Sequence, residues 1–555
     1  MITKEPDRYS IAFVPDLSGM PQNAPGAIFI APSSDQWNDF GFRIRVDVFV
    51  QPRDESRTAD ALEFESYLGI ADSSLENGDV RDLERVVEEA RQNPVQSDDL
   101  PDFFTMLPEM QAYRNLVDRL GAVEASAVLE AIHDMVATEE SQKHPDWHRT
   151  AKETEVFLKG FLRFSESYFA WKNANSILHG EQYEELGEIS DTVRIKYQLS
   201  GRPNSHDLTF RFSQREEVLP KRISVLIGKN GVGKSQALAR IAKSAIDGDG
   251  DLSDEKGGRL LFNRVLAFYP TYASFSGFPA KQRKNAHVWY RRFSLSSPGF
   301  GRNRLSTTDL IVQLARSSER IRTEGRIDLF LNAVRAIEGH EELALGTRQG
   351  NSDFVYLSEL VGGTEGRRLD LFASLHLGKE PMRVHRGQGY RLSSGEAAFV
   401  RFSALTSLYV ESGTLLLIDE PETHLHPNFI SRFVDLLDDL LESTGSVAII
   451  ATHSVYFVRE TFEDQVIVLR SGVDREIIAE KPRLTTFGAD VGAISYFVFG
   501  EDTPSRLAQE VENKIADNSD SFENVFENYK NDISLDLLGE IRDRIEGLNG
   551  GGDKN

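Results

Sequence analysis

The chain has 555 residues, no cysteine and a formal net charge of −24. Because one hydrophobic core rarely extends over so long a chain, we expect about two to four domains. The absence of cysteine excludes disulfides, thiolate metal sites and a cysteine nucleophile. No apolar run reaches the roughly 18 residues of a membrane helix, and the polar start "MITKEPDRYS" lacks a signal-peptide core. These features favour the cytoplasm and no membrane partner.

The first 185 residues are predicted to form an α+β region of unknown role. Two strand-like runs lie between residues 26 and 50, and the second alternates apolar and polar residues with a period near two. Residues 56–180 are predicted to be mainly helical, because proline and glycine are sparse where the helical patterns run. The clearest helical pattern runs from Leu120 to Ala137 and includes Val123, Leu129, Ile132 and Val136 on one face.

A change of pattern near residue 185 predicts an α/β core over residues 186–500. The core begins with a hairpin over residues 192–213, whose two alternating runs flank a Gly-Arg-Pro-Asn-Ser turn. From residue 222, short apolar strands alternate with glycine-rich turns or helices, which is typical of a buried, largely parallel sheet. Residues 501–555 are predicted to form C-terminal packing or docking helices and a flexible tail. The apolar faces of these helices contain Leu507, Val511 and Ile515, and Leu538, Ile541 and Ile545.

A phosphate-binding loop is indicated by the segment "GKNGVGKS", which fits the pattern G-x-x-x-x-G-K-[ST]. The segment consists of Gly228, Lys229, Asn230, Gly231, Val232, Gly233, Lys234 and Ser235. An apolar strand precedes it and a helix follows, so backbone N–H groups and the positive end of the helix would face an anion. Lys234 is expected to reach the β- and γ-phosphates of ATP, and Ser235 is expected to bind Mg²⁺.

Two adjacent carboxylates end another apolar strand in the stretch "TLLLIDEPETHLHP". Asp419 is expected to hold Mg²⁺ at the edge of the sheet. Glu420 is expected to be the general base that activates water. His424 and His426 lie two residues apart, and no third soft ligand is apparent, so we interpret them as structural or dimer-contact residues rather than as a zinc site.

Two further segments place polar groups where a phosphate could bind. A turn from Leu392 to Glu396 precedes a helix, with a serine as its N-cap, and the N-terminus of that helix could face a phosphate. The candidate residues of this turn are Ser393, Ser394, Gly395 and Glu396. The strand "SVAIIATHS" is followed by His453, whose imidazole could hydrogen-bond a γ-phosphate. Taken singly, each segment is better explained by helix capping.

The order of these four segments resembles that of ABC-type ATPases. It is similar to their soluble branch, which includes RecF, SMC heads and the overcoming-lysogenization-defect ATPases, and "IDEPETHLHP" looks especially like the last group. The resemblance covers roughly residues 190–500 and implies an α/β P-loop ABC-type ATPase head, here with an N-terminal α+β region and a helical insert. It also implies that two heads sandwich ATP, so that the Ser393–Gly395 turn of one subunit faces Lys234 of the other, while Glu420 polarises water and His453 contacts the γ-phosphate.

The chain departs from the family pattern at several positions. Two glycines and a glutamine usually end the signature, whereas this chain has Ser394, Gly395 and Glu396. The segment expected to hold a glutamine loop has none, and Thr271, Ser274 and Ser276 are its possible substitutes. The overcoming-lysogenization-defect proteins carry a C-terminal nuclease domain, and we find no nuclease constellation after His453. ATP binding is therefore a firmer expectation than fast turnover.

A long insert at about 275–385 separates the phosphate loop from the signature. It lacks the sustained heptads of SMC arms. It contains the basic segment Lys281–Arg304, in which seven Lys or Arg alternate with aromatic residues and no acid occurs. Such a segment could bind nucleic acid through phosphate contacts and stacking. It could equally complement an acidic surface of this chain or of a partner.

An ATPase head with such an insert resembles ATPase subunits of bacterial anti-phage systems, including Septu, PARIS and retron-associated systems. This resemblance implies a sensor or regulatory subunit that binds and hydrolyses ATP, forms a homodimer or higher oligomer through its heads and controls a separate nuclease or toxin. A DNA-repair or genome-maintenance ATPase that binds DNA directly remains an alternative. An ATP-binding scaffold with negligible turnover is another.

Overall fold

The computed structural model covers the whole chain and describes most of it. The described residues are 9–18, 20, 24–34, 41–53, 61–71, 78–90, 94–97, 100–139, 145–178, 190–199, 202–213, 221–270, 277–280, 286–295, 305–322, 324–348, 353–424, 427–472, 474, 476–499, 506–517, 521–530 and 532–550. They divide into two compact units, Met1–Phe487 and Gly488–Asn555.

An N-terminal six-stranded sheet with helices opens the first unit. Its strands and helices are β1 (Ser10–Phe13), β2 (Ala27–Pro32), β3 (Arg45–Val50), β4 (Leu62–Ile70), α1 (Val80–Glu89), β5 (Val95–Gln96), β6 (Phe103–Met106), α2 (Met110–Leu120), α3 (Ala122–Ala131), α4 (Met135–Glu139), α5 (Asp146–Glu153), α6 (Ser165–Asn173) and α7 (Asn175–Leu178). The strand order is β5-β1-β2-β3-β4-β6, and only β1 and β2 pair in parallel. The alternation predicted before residue 50 is confirmed in β3, whose every second residue is buried.

The prediction of a mainly helical segment over residues 56–180 is partly wrong. It includes β4 and β6, which pair with each other inside the sheet. The predicted helix of residues 120–137 is also broken, because α3 ends at Ala131 and His133 has a left-handed φ of 56°. Val123 is 86% exposed, whereas Leu129 and Ile132 are fully buried. The break separates residues that the periodicity assigned to one helical face.

The core and the insert occupy the rest of the first unit. Their elements are β7 (Thr192–Gln198), β8 (Ser205–Arg211), β9 (Ile223–Gly228), α8 (Lys234–Asp247), β10 (Leu252–Ser253), β11 (Arg264–Tyr269), β12 (Trp289–Ser294), α9 (Thr307–Arg316), β13 (Arg320–Ile321), β14 (Glu324–Gly325), α10 (Arg326–Val334), β15 (Leu343–Gly346), β16 (Phe354–Tyr356), α11 (Glu365–Ser374), β17 (Met382–His385), β18 (Gln388–Arg391), α12 (Ser394–Tyr409), β19 (Leu415–Asp419), α13 (Pro427–Thr444), β20 (Val447–Thr452), α14 (Val455–Arg459), β21 (Val466–Ser471) and β22 (Ile477–Glu480). The predicted hairpin is confirmed as the antiparallel pair β7 and β8.

The central sheet has seven strands in the order β12-β11-β19-β20-β9-β21-β22. All neighbours pair in parallel except β21 and the edge strand β22. Every residue of β9, β19 and β20 is buried, as the apolar runs predicted. The register places Asp419 beside Ala451, and Thr452 beside Ile227. The carboxyl ends of β9, β19 and β20 therefore lie side by side.

The insert contains strands as well as helices, so the expectation of a helical insert is incomplete. Helices α9, α10 and α11 lie in it, together with an antiparallel sheet of order β16-β15-β17-β18. Strand β12 lies within the same sequence range but belongs to the central sheet, where it pairs with β11. Strand β18 ends at Arg391, directly before the turn at Leu392–Glu396, so the insert leads into that turn without a linker.

A buried ionic contact joins the N-terminal region to the core. Arg114 in α2 donates to Glu411 at 2.8 Å, and the two side chains are 6% and 2% exposed. Arg326 from the insert approaches the other oxygen of Glu411 at 3.7 Å. Phe169 of α6 packs against the same loop, which includes Glu411 and Gly413. A Cβ on Gly413 would lie 2.4 Å from the Phe169 ring. These contacts fasten three parts of the chain to the loop that precedes β19.

The second unit consists of helices α15 (Val491–Phe499), α16 (Arg506–Asp517), α17 (Phe522–Tyr529) and α18 (Leu535–Gly550). Its small core includes Ile515, Leu538, Ile541 and Ile545, so the packing role predicted for these positions is confirmed. Across the described residues, none of the helices combines the length and the apolar character needed to cross a bilayer.

Candidate active site

The predicted phosphate loop lies between strand β9 and helix α8. Its backbone requires glycine at two points. Gly233 has a φ of 100° and forms the N-cap of α8, and a Cβ on Gly228 would lie 2.4 Å from the carbonyl oxygen of Leu469. Lys229, Asn230 and Gly231 are exposed. The loop therefore offers an open backbone at the N-terminus of a 14-residue helix, the arrangement that binds anions.

Lys234 is the first residue of α8 and is only 4% exposed. Its Nζ donates to the carbonyl oxygens of Gly228 and Lys229 at 2.8 and 3.2 Å. Burial lowers the pKa of Lys234, and the nearby carboxylates, Glu420 first among them, partly oppose that effect. An ammonium held by carbonyl groups inside the loop is well placed to bind phosphate oxygens.

Ser235 and Asp419 meet although 184 residues separate them in the chain. The hydroxyl of Ser235 donates to Oδ1 of Asp419 at 2.9 Å. Burial raises the pKa of Asp419 to about 7, and the hydrogen bond from Ser235 opposes the rise. A hydroxyl and a carboxylate side by side are hard oxygen ligands of the kind that Mg²⁺ prefers.

Glu420 adopts a backbone conformation that is rare for a side chain of its size. Its φ is 43°, in the left-handed region, and its N–H donates to the carbonyl oxygen of Ala451 at 2.8 Å. Such a conformation costs on the order of 1–3 kcal/mol and is found most often at functional sites. The turn holds Glu420 half-exposed at the ends of β19 and β20.

Glu422 is a residue to which the sequence analysis gave no role, and it binds the segment that contains His453. Its Oε1 accepts hydrogen bonds from the Thr452 hydroxyl at 2.5 Å and from the His453 N–H at 2.7 Å. Nδ1 of the His453 imidazole lies 2.9 Å from the same oxygen. The carboxylate is 6% exposed and the imidazole 48%. Glu422 thus orients an imidazole that is about half exposed. The sequence signal that could have pointed to Glu422 is its place as the third acid of the "DEPE" stretch.

The signature turn, residues 392–396, begins helix α12 with exposed Ser393 and Ser394. Ser393 and Glu396 form a capping box, in which the Ser393 N–H and hydroxyl donate to Glu396 at 2.9 and 2.8 Å. Arg383 of the insert also donates to Glu396 at 2.6 Å. The predicted N-cap is therefore confirmed. The helix N-terminus beside buried Gly395 is a second potential phosphate-binding surface.

Arg202 is another residue that the sequence analysis did not single out. It lies in the turn between β7 and β8 and donates to the carbonyl oxygen of Gly231 at 3.0 Å. Leu199 from the same hairpin packs against Gly233, where a Cβ would lie 2.6 Å from it. The hairpin turn therefore lies against the phosphate loop. The arginine in the predicted turn was the only sequence signal for it.

The basic segment Lys281–Arg304 is described only at residues 286–295, and there it is part of the core. Tyr290 is buried in β12, and Phe293 stacks on Tyr409 with ring centroids 5.0 Å apart. Arg291 lies over the same Tyr409 ring at 4.3 Å. The aromatic residues of β12 therefore serve internal packing. Stacking of bases on Phe300 falls outside the described residues.

Several other predicted positions also lie outside the described residues. These are the possible glutamine-loop substitutes Thr271, Ser274 and Ser276, the residue His426 and the side chain of His424. Among the described residues, no group of three or more acids, histidines and cysteines is arranged to hold a metal ion.

ATP and Mg²⁺ fit the residues that this site brings together. The exposed loop backbone and the buried ammonium of Lys234 suit a triphosphate. Asp419 is mostly buried and has a serine hydroxyl as its hydrogen-bonding partner. Burial raises the pKa of Asp419 to about 7, and a divalent cation bound beside it would favour the ionised carboxylate.

Comparison with known proteins supports this chemistry. Residues 292–459 match the family described as "AAA domain, putative AbiEii toxin, Type IV TA system". The matched segment begins after the phosphate loop and includes the signature turn, Asp419, Glu420 and His453. The matched segment is thus similar to an AAA-type ATPase domain, and the phosphate loop precedes it in the chain.

Similar proteins include a phage protein and two solved structures. The chain is 26% identical over 467 residues to "Protein ea59" of Escherichia phage lambda, across 81% of this chain and 85% of that protein. The SMC head domain from Thermotoga maritima overlaps 54% of this chain and all of that chain at 12% identity and a TM-score of 0.26. The structure of cbiO1 from Clostridium perfringens is described as part of the ABC transporter complex cbiONQ. The match covers 59% of this chain and 96% of that chain, at 15% identity and a TM-score of 0.26. The description of the fold rests on the strand order of this chain itself.

Proposed function

We propose that this protein binds and hydrolyses ATP as a sensor or regulatory subunit of a bacterial anti-phage defence system. In this proposal, ATP-bound heads dimerise and thereby control a separate nuclease or toxin. The observation that carries it is the convergence of Lys234, Ser235, Asp419, Glu420 and the Glu422–His453 pair at one edge of the central sheet.

Each residue of this edge has a proposed task. The loop backbone and Lys234 bind the phosphate chain, and Ser235 and Asp419 hold Mg²⁺, which supplies positive charge against the phosphate oxygens. Glu420 accepts a proton from the attacking water. His453, oriented by Glu422, donates a hydrogen bond toward the terminal phosphate. The strained backbone at Glu420 supports hydrolysis over a scaffold that only binds nucleotide.

The signature turn is proposed to act on the nucleotide of a second subunit. Ser393 and Ser394 are exposed at the N-terminus of a 16-residue helix, where backbone N–H groups and the helix dipole favour an anion. Their described contacts are within the turn itself, and Arg383 of the insert fastens Glu396. A turn arranged in this way can close over a nucleotide bound to a partner head.

The defence role is supported by the comparisons and by how the parts are joined. The matching family is described as a putative AbiEii toxin of a type IV toxin–antitoxin system, and the relative that spans most of the chain comes from a phage. We propose that residues 1–185 recognise the effector. The buried contact between Arg114 and Glu411 would connect that region to the loop before β19, whose last residue is Asp419.

Two variants test the ATPase assignment. Lys234→Ala is expected to lose ATP binding, because it removes the ammonium that is held inside the loop by two backbone carbonyl groups. Glu420→Gln is expected to bind ATP normally and to accumulate as an ATP-bound dimer, since the general base is removed. Lys243→Ala is the matched control, because Lys243 is an exposed lysine on the same helix.

The measurements are ATP affinity by equilibrium binding and mass by light scattering with and without ATP. Unchanged ATP affinity in Lys234→Ala would refute nucleotide binding at this loop. A Glu420→Gln protein that stays monomeric with saturating ATP would refute the dimerising head. Purification of the Glu420→Gln protein with its bound partners, followed by mass spectrometry, tests for a nuclease or toxin.

Direct DNA binding is the competing function. Its predicted surface is the basic segment Lys281–Arg304, whose described aromatic residues pack in the core. ATP hydrolysis that rises on addition of DNA, and loses that response when the lysines and arginines of this segment are reversed in charge, would favour it over the regulatory role.

A further inference from the structure

The residue at the end of the signature turn presents an electrostatic problem. Glu396 is a carboxylate in the turn that is proposed to approach the triphosphate of a second subunit. Burial alone would raise the pKa of Glu396, but hydrogen bonds from Ser393 and Arg383 outweigh that effect and lower it, so the side chain is ionised at neutral pH. An uncompensated negative charge at this position would repel phosphate oxygens and weaken closure of the dimer.

Arg383 compensates this charge from the insert. Its Nη2 lies 2.6 Å from Oε1 of Glu396, and the two side chains are 23% and 16% exposed. The guanidinium is also fixed by the carbonyl oxygens of Gly339 at 2.8 Å and Glu338 at 2.9 Å. Glu342 accepts a further hydrogen bond at 3.2 Å. Because four acceptors hold it, Arg383 stays next to Glu396 rather than sampling solvent.

The insert therefore reaches the signature turn in two ways. Strand β18 leads directly into the turn, and its neighbour β17 contributes Arg383, which lies opposite Tyr390 in the register of the hairpin. A displacement of the β17–β18 hairpin would move both the turn and the charge that neutralises it. The position of the hairpin would thus control whether the turn can approach a phosphate.

We propose that Arg383 is a positioning residue that neutralises Glu396 and so allows the signature turn to close on the nucleotide of the partner subunit. This inference rests on the proposed function, because it assumes that two heads enclose ATP. It gives the insert a regulatory task, since the charge at the dimer surface depends on the fold of its hairpin.

A charge-removal experiment separates this role from a merely structural ion pair. Arg383→Ala leaves Glu396 without its main cation, so ATP-driven dimerisation should weaken by about tenfold or more. Glu396→Gln keeps the capping box, which glutamine also forms, but removes the negative charge. The double variant should therefore regain the dimerisation of the parent protein. A structural pair would be broken equally in the double variant, and no recovery would follow.

The assay is the ATP concentration at half-maximal dimerisation, measured by light scattering in the Glu420→Gln background. Arg432→Ala is the matched control. Arg432 lines the same cavity of about 430 Å³ as Arg383 and Glu396, but its own ion pair is with Glu338, at 3.0 Å. We expect the control to dimerise like the parent. ATP affinity of the Arg383→Ala monomer should also be unchanged.

The outcomes distinguish this inference from the function on which it depends. A Glu420→Gln parent that does not dimerise with ATP overturns both. A parent that dimerises, together with a double variant as weak as Arg383→Ala, overturns the role of Arg383 alone. If Arg383→Ala does not fold, the Glu396→Gln single variant decides the matter. It should dimerise at lower ATP than the parent because the signature turn then carries one negative charge fewer while Arg383 remains, and weaker dimerisation refutes the inference.

Discussion

Replacing Glu422 by glutamine is a direct test of how the site presents His453. In the native protein one oxygen of Glu422 accepts hydrogen bonds from the Thr452 hydroxyl and the His453 N–H, and it lies 2.9 Å from Nδ1 of the imidazole. The amide oxygen of glutamine can keep the first two hydrogen bonds. It lacks the charge that strengthens the contact with the ring.

The expected loss follows from that single contact. A hydrogen bond to a charged group contributes about 1.5–3 kcal/mol and a neutral one about 0.5–1.5 kcal/mol. The difference of about 1–1.5 kcal/mol corresponds to a decrease of about tenfold in the rate of ATP hydrolysis, if the orientation of His453 matters in the transition state. ATP affinity should change little, because Glu422 is 6% exposed and faces His453.

Single-turnover hydrolysis by rapid quench measures this effect without interference from product release. Thr452→Val is a matched control, because it removes another donor to the same oxygen without altering the imidazole. We expect a smaller effect from it. In a His453→Ala background, Glu422→Gln should cause no further decrease. Equal decreases in both backgrounds, or a rate within twofold of the native protein, would refute the orienting role of Glu422.

Two further predictions concern stability. Arg114→Leu leaves the buried carboxylate of Glu411 without its closest cation. It should lower the free energy of unfolding, measured by urea titration, by about 3–5 kcal/mol. Arg194→Leu is the control: it breaks a more exposed ion pair and should lower the free energy of unfolding by less than about 1 kcal/mol. Burial raises the pKa of Asp134 from 3.8 to about 7, so the stability that its neutral form contributes is full below about pH 4 and declines as the pH rises toward 7. Asp134→Asn should therefore reduce the loss of stability between pH 5 and pH 8, and an unchanged loss would contradict this.

The segments that the sequence predicted well are those whose residues are consecutive. The phosphate loop is one strand, one turn and one helix start, and its glycines are required by the backbone of that same stretch. The buried strands β9, β19 and β20 are apolar throughout, because a parallel sheet covered on both faces demands it. The hairpin β7–β8 follows from alternation around a turn. Such features depend on local geometry, which neighbouring residues carry.

Only the tertiary structure decided the contacts between residues far apart in the chain. Ser235 meets Asp419 because β9 and β19 both pair with β20, an order that no local pattern encodes. The same holds for Glu422 with His453, Arg383 with Glu396 and Arg114 with Glu411. A carboxylate or an arginine looks alike in sequence whether it is solvated or paired. Its function depends on which distant group the fold brings within hydrogen-bonding distance.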